Sequence, residues 1–390
     1  MDILYLILVL LVVTRVFAEL AERVNLPAIA GIGMTGRGVL AAFVALFIVF
    51  PAHSQESGQE PFASEAPLFN DDALLEVTIE APFTTLIDER PDEGYLDGIF
   101  RFTSVNQSER VLGLKLRTRG KYRRDKEHCD FPPIRLNFST AEVVGTVFAG
   151  QDKLKMVTHC RTRNYKYERF VLREYLAYRI LNLLTSKSYR VRLMRINYVD
   201  TEGGKPITKL GFVIEDDEHV AARNGMQIVK TDNISLDDLD REQQSLVDMF
   251  QYMIGNTEYS LHISEPDDDC CHNSDLMSVT GSAPYTPLAY DFDFAGIVNA
   301  PYAEPNPRYR LTHVRQRLYK GQCRNNDRLP GTIERFLDTK DAVYAIINQL
   351  EPLSVESRKH LFRFLNLFYK RISDPKSVHR RFENKCQENP

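Results

Sequence analysis

Two periodicities divide this chain, and together they limit its fold more than any single motif does. Leu75, Val77 and Ile79 alternate with Glu76, Thr78 and Glu80, and Leu112, Leu114 and Leu116 alternate with Gly113, Lys115 and Arg117. A period of two is the mark of a half-buried strand. Further strands are expected at 132–138, 153–158, 190–199 and 209–215. Phe170, Val171, Tyr175, Tyr178, Leu181 and Leu184 instead share one helical face, which predicts a helix over about 166–185. Ser235-Leu-Asp-Asp238 has the spacing of a capping box and predicts a second helix reaching about Ile254. Two more helices are expected near 339–350 and 354–372. The last opens an Arg/Lys-rich tail, 358–385, read as an amphipathic helix with a solvated face. Strands with one helix among them come first and helices follow. The expectation is an α+β chain in two parts, 74–215 and 216–390, joined near 216–235.

The region before residue 74 reads as an export apparatus. Met34-Thr-Gly-Arg37 supplies a basic start, Val39–Phe50 an apolar stretch, and Ala52-His-Ser54 a small-x-small exit. That is the order of a secretory signal peptide, here 34–54, with cleavage expected after Ser54. Spanning a bilayer takes roughly 20 apolar residues, so a membrane is expected as a partner only if this segment is retained. Residues 55–73, rich in Ser, Glu, Gln and Pro, read as a flexible leader. All six cysteines (129, 160, 270, 271, 323 and 386) lie downstream. An even number in an exported chain predicts disulfides and an oxidising location, periplasmic or extracellular. Six cysteines allow 15 pairings, and Cys129 with Cys160, which flank two strand-like segments, is the first choice. The net charge of -4 shows no basic excess, which argues against nucleic acid as a partner.

The residues that suggest chemistry fall within about forty positions of one another: Asn256-Thr-Glu258, His272-Asn273 and Tyr290-Asp291-Phe-Asp293. Phosphoryl transfer needs a group that orients the acceptor hydroxyl and hard oxygen ligands that hold Mg²⁺ against the phosphates. Asn and Asp supply such oxygens, and strand alternation would set Asp291 and Asp293 on one face. The same run also reads as a plain amphipathic strand with its acids in solvent, and Glu258 as a surface acid. Cys270-Cys271-His272 lacks zinc-ligand spacing, so a disulfide or free thiols are expected there. Glu265-Pro-Asp-Asp-Asp269 lacks the Gly and terminal Glu of an EF-hand loop. No Gly-x-Ser-x-Gly elbow or His-Glu-x-x-His helix occurs, which weakens hydrolase and zinc-protease readings.

On these residues the sequence resembles the CotH-type kinases and, more distantly, the HipA-type kinases. The likeness covers roughly residues 75–300. It rests on the Asn256-x-Glu258 loop, the following His272-Asn273, and the Tyr290-Asp291-x-Asp293 run. Arg117-Thr-Arg119-Gly120 is similar to the family's Arg-x-Arg-Gly turn, and Gly211-Phe-Val-Ile-Glu215 to its stretch between lobes. The resemblance implies a bilobal fold with a strand-rich N-terminal lobe and a helical C-terminal lobe. It implies ATP as substrate with Mg²⁺ or Mn²⁺ as cofactor. Asn273, Asp291 and Asp293 would be metal ligands, Glu258 and Asn256 catalytic. Lys155, or Arg135 in its place, would grip phosphate and pair with Glu174, with Glu215 beside the nucleotide.

Glu258 stands where the family pattern has Asp. An extra methylene moves a carboxylate by about 1 Å, and such misplacement costs about 100-fold. No Gly-x-Gly-x-x-Gly loop is present either. The expected function is therefore an exported kinase acting on a protein Ser/Thr or small-molecule hydroxyl. The alternative is an inactive kinase-like envelope binding or assembly protein, and a third reading is a hydrolase that uses the same acids without ATP. Residues 1–31, from Met1-Asp-Ile-Leu-Tyr to Ala30-Gly31, resemble the opening helix of a monovalent cation:proton antiporter. They are read, within 1–33, as an extension foreign to the rest, with Met34 the natural start.

Overall fold

The computed structural model describes residues 66–104, 107–264 and 268–388. The expected extension (1–33), signal peptide (34–54) and first part of the leader lie outside the described residues. The leader ends sooner than residue 73. Pro67–Phe69 forms a 3₁₀ turn, and Leu68 and Phe69 are buried in the core of the strand-rich part.

Seven strands close into a barrel: β1 (Leu75–Ala81), β2 (Leu96–Thr103), β3 (Glu109–Thr118), β4 (Ile134–Phe138), β5 (Lys153–Val157), β6 (Val191–Asp200) and β7 (Ile207–Ile214). Their order is β1-β2-β3-β4-β5-β7-β6, and the parallel pairing of β1 with β6, Leu75 opposite Met194, closes the ring. Closure leaves the ring without an open edge, the part of a sheet that otherwise pairs with other chains. The period-two pattern selects what lies inside. Leu112, Leu114 and Leu116 of β3 face the core with Ile134, Leu136 and Phe138 of β4. Phe100, Phe138 and Phe148 pack with ring centroids 5.0–5.4 Å apart, and each such side chain contributes about 1.5–3 kcal/mol on burial. Gly211 has a steric task. A Cβ there would sit 2.7 Å from the Val157 carbonyl oxygen, so only glycine lets β7 pass β5 so closely.

A short helix, α1 (Phe83–Glu89), follows β1, and α2 (Glu168–Leu184) joins β5 to β6. The expected 166–185 helix is therefore present, but it is buried nearly all round rather than on one face. It lies between β7 on one side and later helices on the other. Beyond the barrel come α3 (Asp217–Arg223), α4 (Arg241–Ile254), α5 (Leu329–Asp338), α6 (Lys340–Gln349), α7 (Val355–Ile372) and α8 (Pro375–Arg381). With them is a small sheet, β10-β9-β8, of Thr286–Ala289, Ser274–Ser278 and Gln227–Val229. The chain is α+β, as expected. One start signal was misread: Ser235 caps only a 3₁₀ turn at Leu236–Asp238, after which Leu239 becomes extended. Asp240 caps α4, accepting from the Gln243 N–H at 2.7 Å.

Three disulfides are present: Cys129–Cys160, the adjacent Cys270–Cys271, and Cys323–Cys386. The first ties the segments preceding β4 and following β5, as the cysteine positions suggested. No helix among the described residues is long and apolar enough to cross a membrane.

Candidate functional site

The two expected loops meet where the helical part faces the barrel. After α4 ends, the Gly255 carbonyl accepts from the Gly296 N–H at 3.0 Å and the Ile254 carbonyl accepts from the Ile297 N–H at 2.9 Å. The Tyr290 N–H donates to the Asn273 carbonyl at 3.1 Å, and the Asn273 side-chain amide donates to the Glu258 carbonyl at 2.7 Å. Asn256, Glu258, Asn273 and Asp291 thus belong to one hydrogen-bonded set of turns. Within it Asn256 is wholly buried, and its amide oxygen accepts from the Glu258 N–H at 2.9 Å. Asn256 shapes the turn that presents Glu258, and its side-chain nitrogen has no hydrogen-bond partner among the described residues. Glu258 itself is half-buried, with its carboxylate 3.5 Å from the Asn306 side-chain amide.

Asp291 and Asp293 do converge, but strand alternation is not the reason. Residues 290–294 form no strand. Asp291 takes a left-handed conformation, φ 58°, which Asp tolerates better than most residues. Its N–H donates to the Tyr178 hydroxyl of α2 at 2.9 Å. Phe292 is driven inward against the rings of Tyr178 and Phe250. The turn leaves the Asp291 side chain 46% exposed and Asp293 6% exposed, so the plain reading of two solvated strand acids does not hold for Asp293.

An arginine sits at the centre. Arg123 Nε is 3.2 Å from Asp293, its Nη1 3.2 Å from Glu174 and its Nη2 3.7 Å from Asp291. Burial works against the Arg123 charge, but Glu174 and Asp293 outweigh it and hold the guanidinium firmly protonated. Burial raises the pKa of both Glu174 and Asp293, with Arg123 opposing in each case. Glu174 was expected to pair with Lys155 or Arg135, and it pairs with Arg123 instead. The Arg-rich run 119–124 carried that signal, but nothing local in it says which arginine turns inward.

The barrel supplies a basic wall opposite Asp291. Arg119 faces it, half-buried, while Arg117 turns away to Asp92 and Gly120 takes φ 80° to turn the chain. Lys155 lies directly opposite Arg135 in the β4–β5 register. Its ammonium sits 5.6 and 5.7 Å from the ring centroids of Tyr189 and Tyr290. Arg119, Arg123, Lys155, Glu174 and Asp291 line one cleft of about 10 Å³, room for about one water. Glu215 does not line this cleft. Fully buried, it accepts from Arg190 at 2.7 Å and Arg223 at 3.1 Å, which fastens the chain where it leaves β7.

Among the described residues no group of three or more His, Cys, Asp or Glu is arranged to hold a metal ion. The donors that suit Mg²⁺ are the exposed Asp291 carboxylate and the Asn273 amide oxygen, since the Asn273 nitrogen is already used. Asp293 can join them only after Arg123 withdraws. Residues 265–267 of the acidic run lie outside the described residues, and Asp268 pairs with Lys121 at 2.7 Å. No protein-family model matches the chain, and no curated protein matches it in sequence.

Proposed function

We propose that the protein is an exported bilobal kinase of the atypical type its motifs resemble, passing a phosphoryl group from ATP to a hydroxyl. The barrel is then the N-terminal lobe and the helical part the C-terminal lobe. One observation carries the reading: Asp291 stands on a turn bonded to the Asn273 and Glu258 turns, and it faces Arg119, Arg123 and Lys155 across a single cleft. Lys155 and Arg119 would bind phosphate oxygens, with Arg135 adding positive charge from the neighbouring strand. Glu258 would orient the acceptor hydroxyl and take its proton. A bound Mg²⁺, held by Asp291 and Asn273, would neutralise charge on the phosphates. Arg123–Glu174 would serve as the ion pair that fixes the helix against the barrel. The three disulfides are compatible with the oxidising location that the N-terminal pattern predicts.

A second reading, a kinase-like binding protein without catalysis, is favoured by the small cleft and by the guanidinium on Asp293. The two part on calorimetry of the intact chain with ATP and Mg²⁺. The kinase reading expects metal-dependent binding that Asp291→Ala abolishes. A parent that binds no nucleotide at millimolar ATP with either Mg²⁺ or Mn²⁺ overturns it and leaves the binding protein.

A further inference from the structure

A second cavity, of about 550 Å³, opens beside the Glu258 turn. That is within the size range of small-molecule sites, roughly 300–1,000 Å³. It lies between α4, the segment after Glu258 and the segment 306–322, and Asn306, which reaches the Glu258 carboxylate, forms part of its wall. Its lining combines the aromatic rings of Tyr259 and Tyr309 with the buried polar side chains of Asp248 and Gln322.

These polar side chains are short of partners. Asp248 is 3% exposed. Its Oδ1 accepts from the Tyr259 hydroxyl at 2.9 Å, while Oδ2 has no hydrogen-bond partner among the described residues. Gln322 is 6% exposed, and its Oε1 likewise has none. A buried polar atom left unpaired costs about 1–3 kcal/mol, so two at one cavity point to a ligand with hydrogen-bonding groups of its own: a donor for Gln322, and for Asp248 a donor when it is ionised or an acceptor when it is protonated. A cation is a poor candidate because Lys320 already holds that position. Its ammonium is 4.0 Å from the Tyr259 centroid and 5.3 Å from that of Tyr309, and it donates to the Tyr259 carbonyl. An anion brings acceptors alone, and the Gln322 oxygen needs a donor. Hydroxyls both donate and accept, and the aliphatic faces of a sugar ring suit the tyrosine walls.

We propose that this cavity binds a neutral polyhydroxyl ligand, a saccharide, whose hydroxyls hydrogen-bond with Asp248 and Gln322 while its ring lies against Tyr259 and Tyr309. Resting on the kinase reading, a saccharide hydroxyl is then the acceptor presented to Glu258. The transfer would break the bond from the γ-phosphorus to its bridging oxygen and form one to the sugar oxygen, with the hydroxyl proton passing to Glu258 and ADP leaving.

The test is binding without nucleotide. Glucose, galactose, mannose, N-acetylglucosamine, maltose and cellobiose are titrated into the intact chain by calorimetry and saturation-transfer NMR, with putrescine and inorganic phosphate alongside. The expected result is saturation by at least one saccharide at millimolar concentration or below. Gln322→Leu and Tyr309→Ala should each weaken it about tenfold, or 1.4 kcal/mol, with near-ultraviolet dichroism unchanged. No saturation by any sugar, equal binding by both folded variants, or binding of putrescine or phosphate instead overturns the assignment. Sugar binding by a chain that binds no ATP upholds the cavity assignment and overturns the acceptor role alone.

Discussion

The cleft at Asp291 (the upper) and the cavity beside the Glu258 turn (the lower) differ in how their charges are met. In the upper cleft three carboxylates surround one guanidinium, a basic wall stands opposite, and the space left is about that of a single water. In the lower one a single oxygen of Asp248 and the amide oxygen of Gln322 lie buried without partners among the described residues, beside about 550 Å³ of space. The protein supplies its own counter-ion above and leaves hydrogen bonds unmade below. A site closed by its own ion pairs must open before it can bind. A site with unpaired polar atoms is ready for a ligand as it stands.

The largest expected effect comes from removing the upper counter-ion. Arg123→Met leaves Glu174 and Asp293 buried without their cation, and breaking a buried pair in this way costs about 3–5 kcal/mol. Urea unfolding of the variant measures the cost. Adding Glu174→Gln should restore part of it, because the removed charge no longer needs a partner. Strict additivity of the two changes would mean that Arg123 and Glu174 are not coupled, and the picture of a self-closed cleft would fail.

Much of the barrel was legible in sequence because a strand with one face buried writes its pattern into consecutive residues. Leu112, Leu114 and Leu116 are such a record, and all three are buried. β2 was missed because Gly98 on its inward face and the exposed Ile99 on its outward face interrupt the alternation. The site was legible only in its residue types. Asp291 and Asp293 do meet one cation, but through a left-handed turn that buries Phe292, and alternation cannot foresee a turn. Arg123 was invisible for another reason. Its role depends on Glu174 and Asp293, 51 and 170 positions away, and no local pattern encodes such a meeting. The lower cavity is assembled from Asp248, Tyr259, Tyr309 and Gln322 in the same non-local way.

A middle-sized effect separates the cavities by pH. Burial pushes the Asp248 carboxyl up to about 7, only partly opposed by the Tyr259 hydroxyl, Lys320 and Arg324. In the unfolded chain an aspartate titrates near 4. Between these values the folded state keeps a proton that the unfolded state has lost, so this residue's contribution to stability falls as pH rises from about 4 to 7 and is level above 7. Asp248→Asn removes that slope. Between pH 5 and 8 the variant should gain about 2–3 kcal/mol relative to the parent. Unfolding curves of both proteins at the two values decide it. A constant difference would mean that Asp248 is ionised throughout and has a partner the cavity reading denies it.

The smallest effect on stability is expected at Lys155, and it bears most directly on the comparison. Lys155 is half-buried, over the faces of Tyr189 and Tyr290, and its charge also favours the ionised forms of Asp275 and Asp216. Such cation–π contacts are worth about 0.5–1 kcal/mol at sites open to water. Lys155→Met keeps the stem and removes the charge, so unfolding should shift by about that much plus a small loss from the nearby Asp275 carboxyl, which can take up a proton in its place. Nucleotide affinity is a separate matter. If the upper cleft opens to take ATP, a phosphate oxygen loses its charge-assisted bond, and binding should weaken about tenfold or more. Saccharide binding in the lower cavity should stay where it was. An unchanged ATP affinity in this well-folded variant would place the nucleotide away from the basic wall and leave the upper cleft a structural ion cluster, with the lower cavity the protein's only binding site of the two.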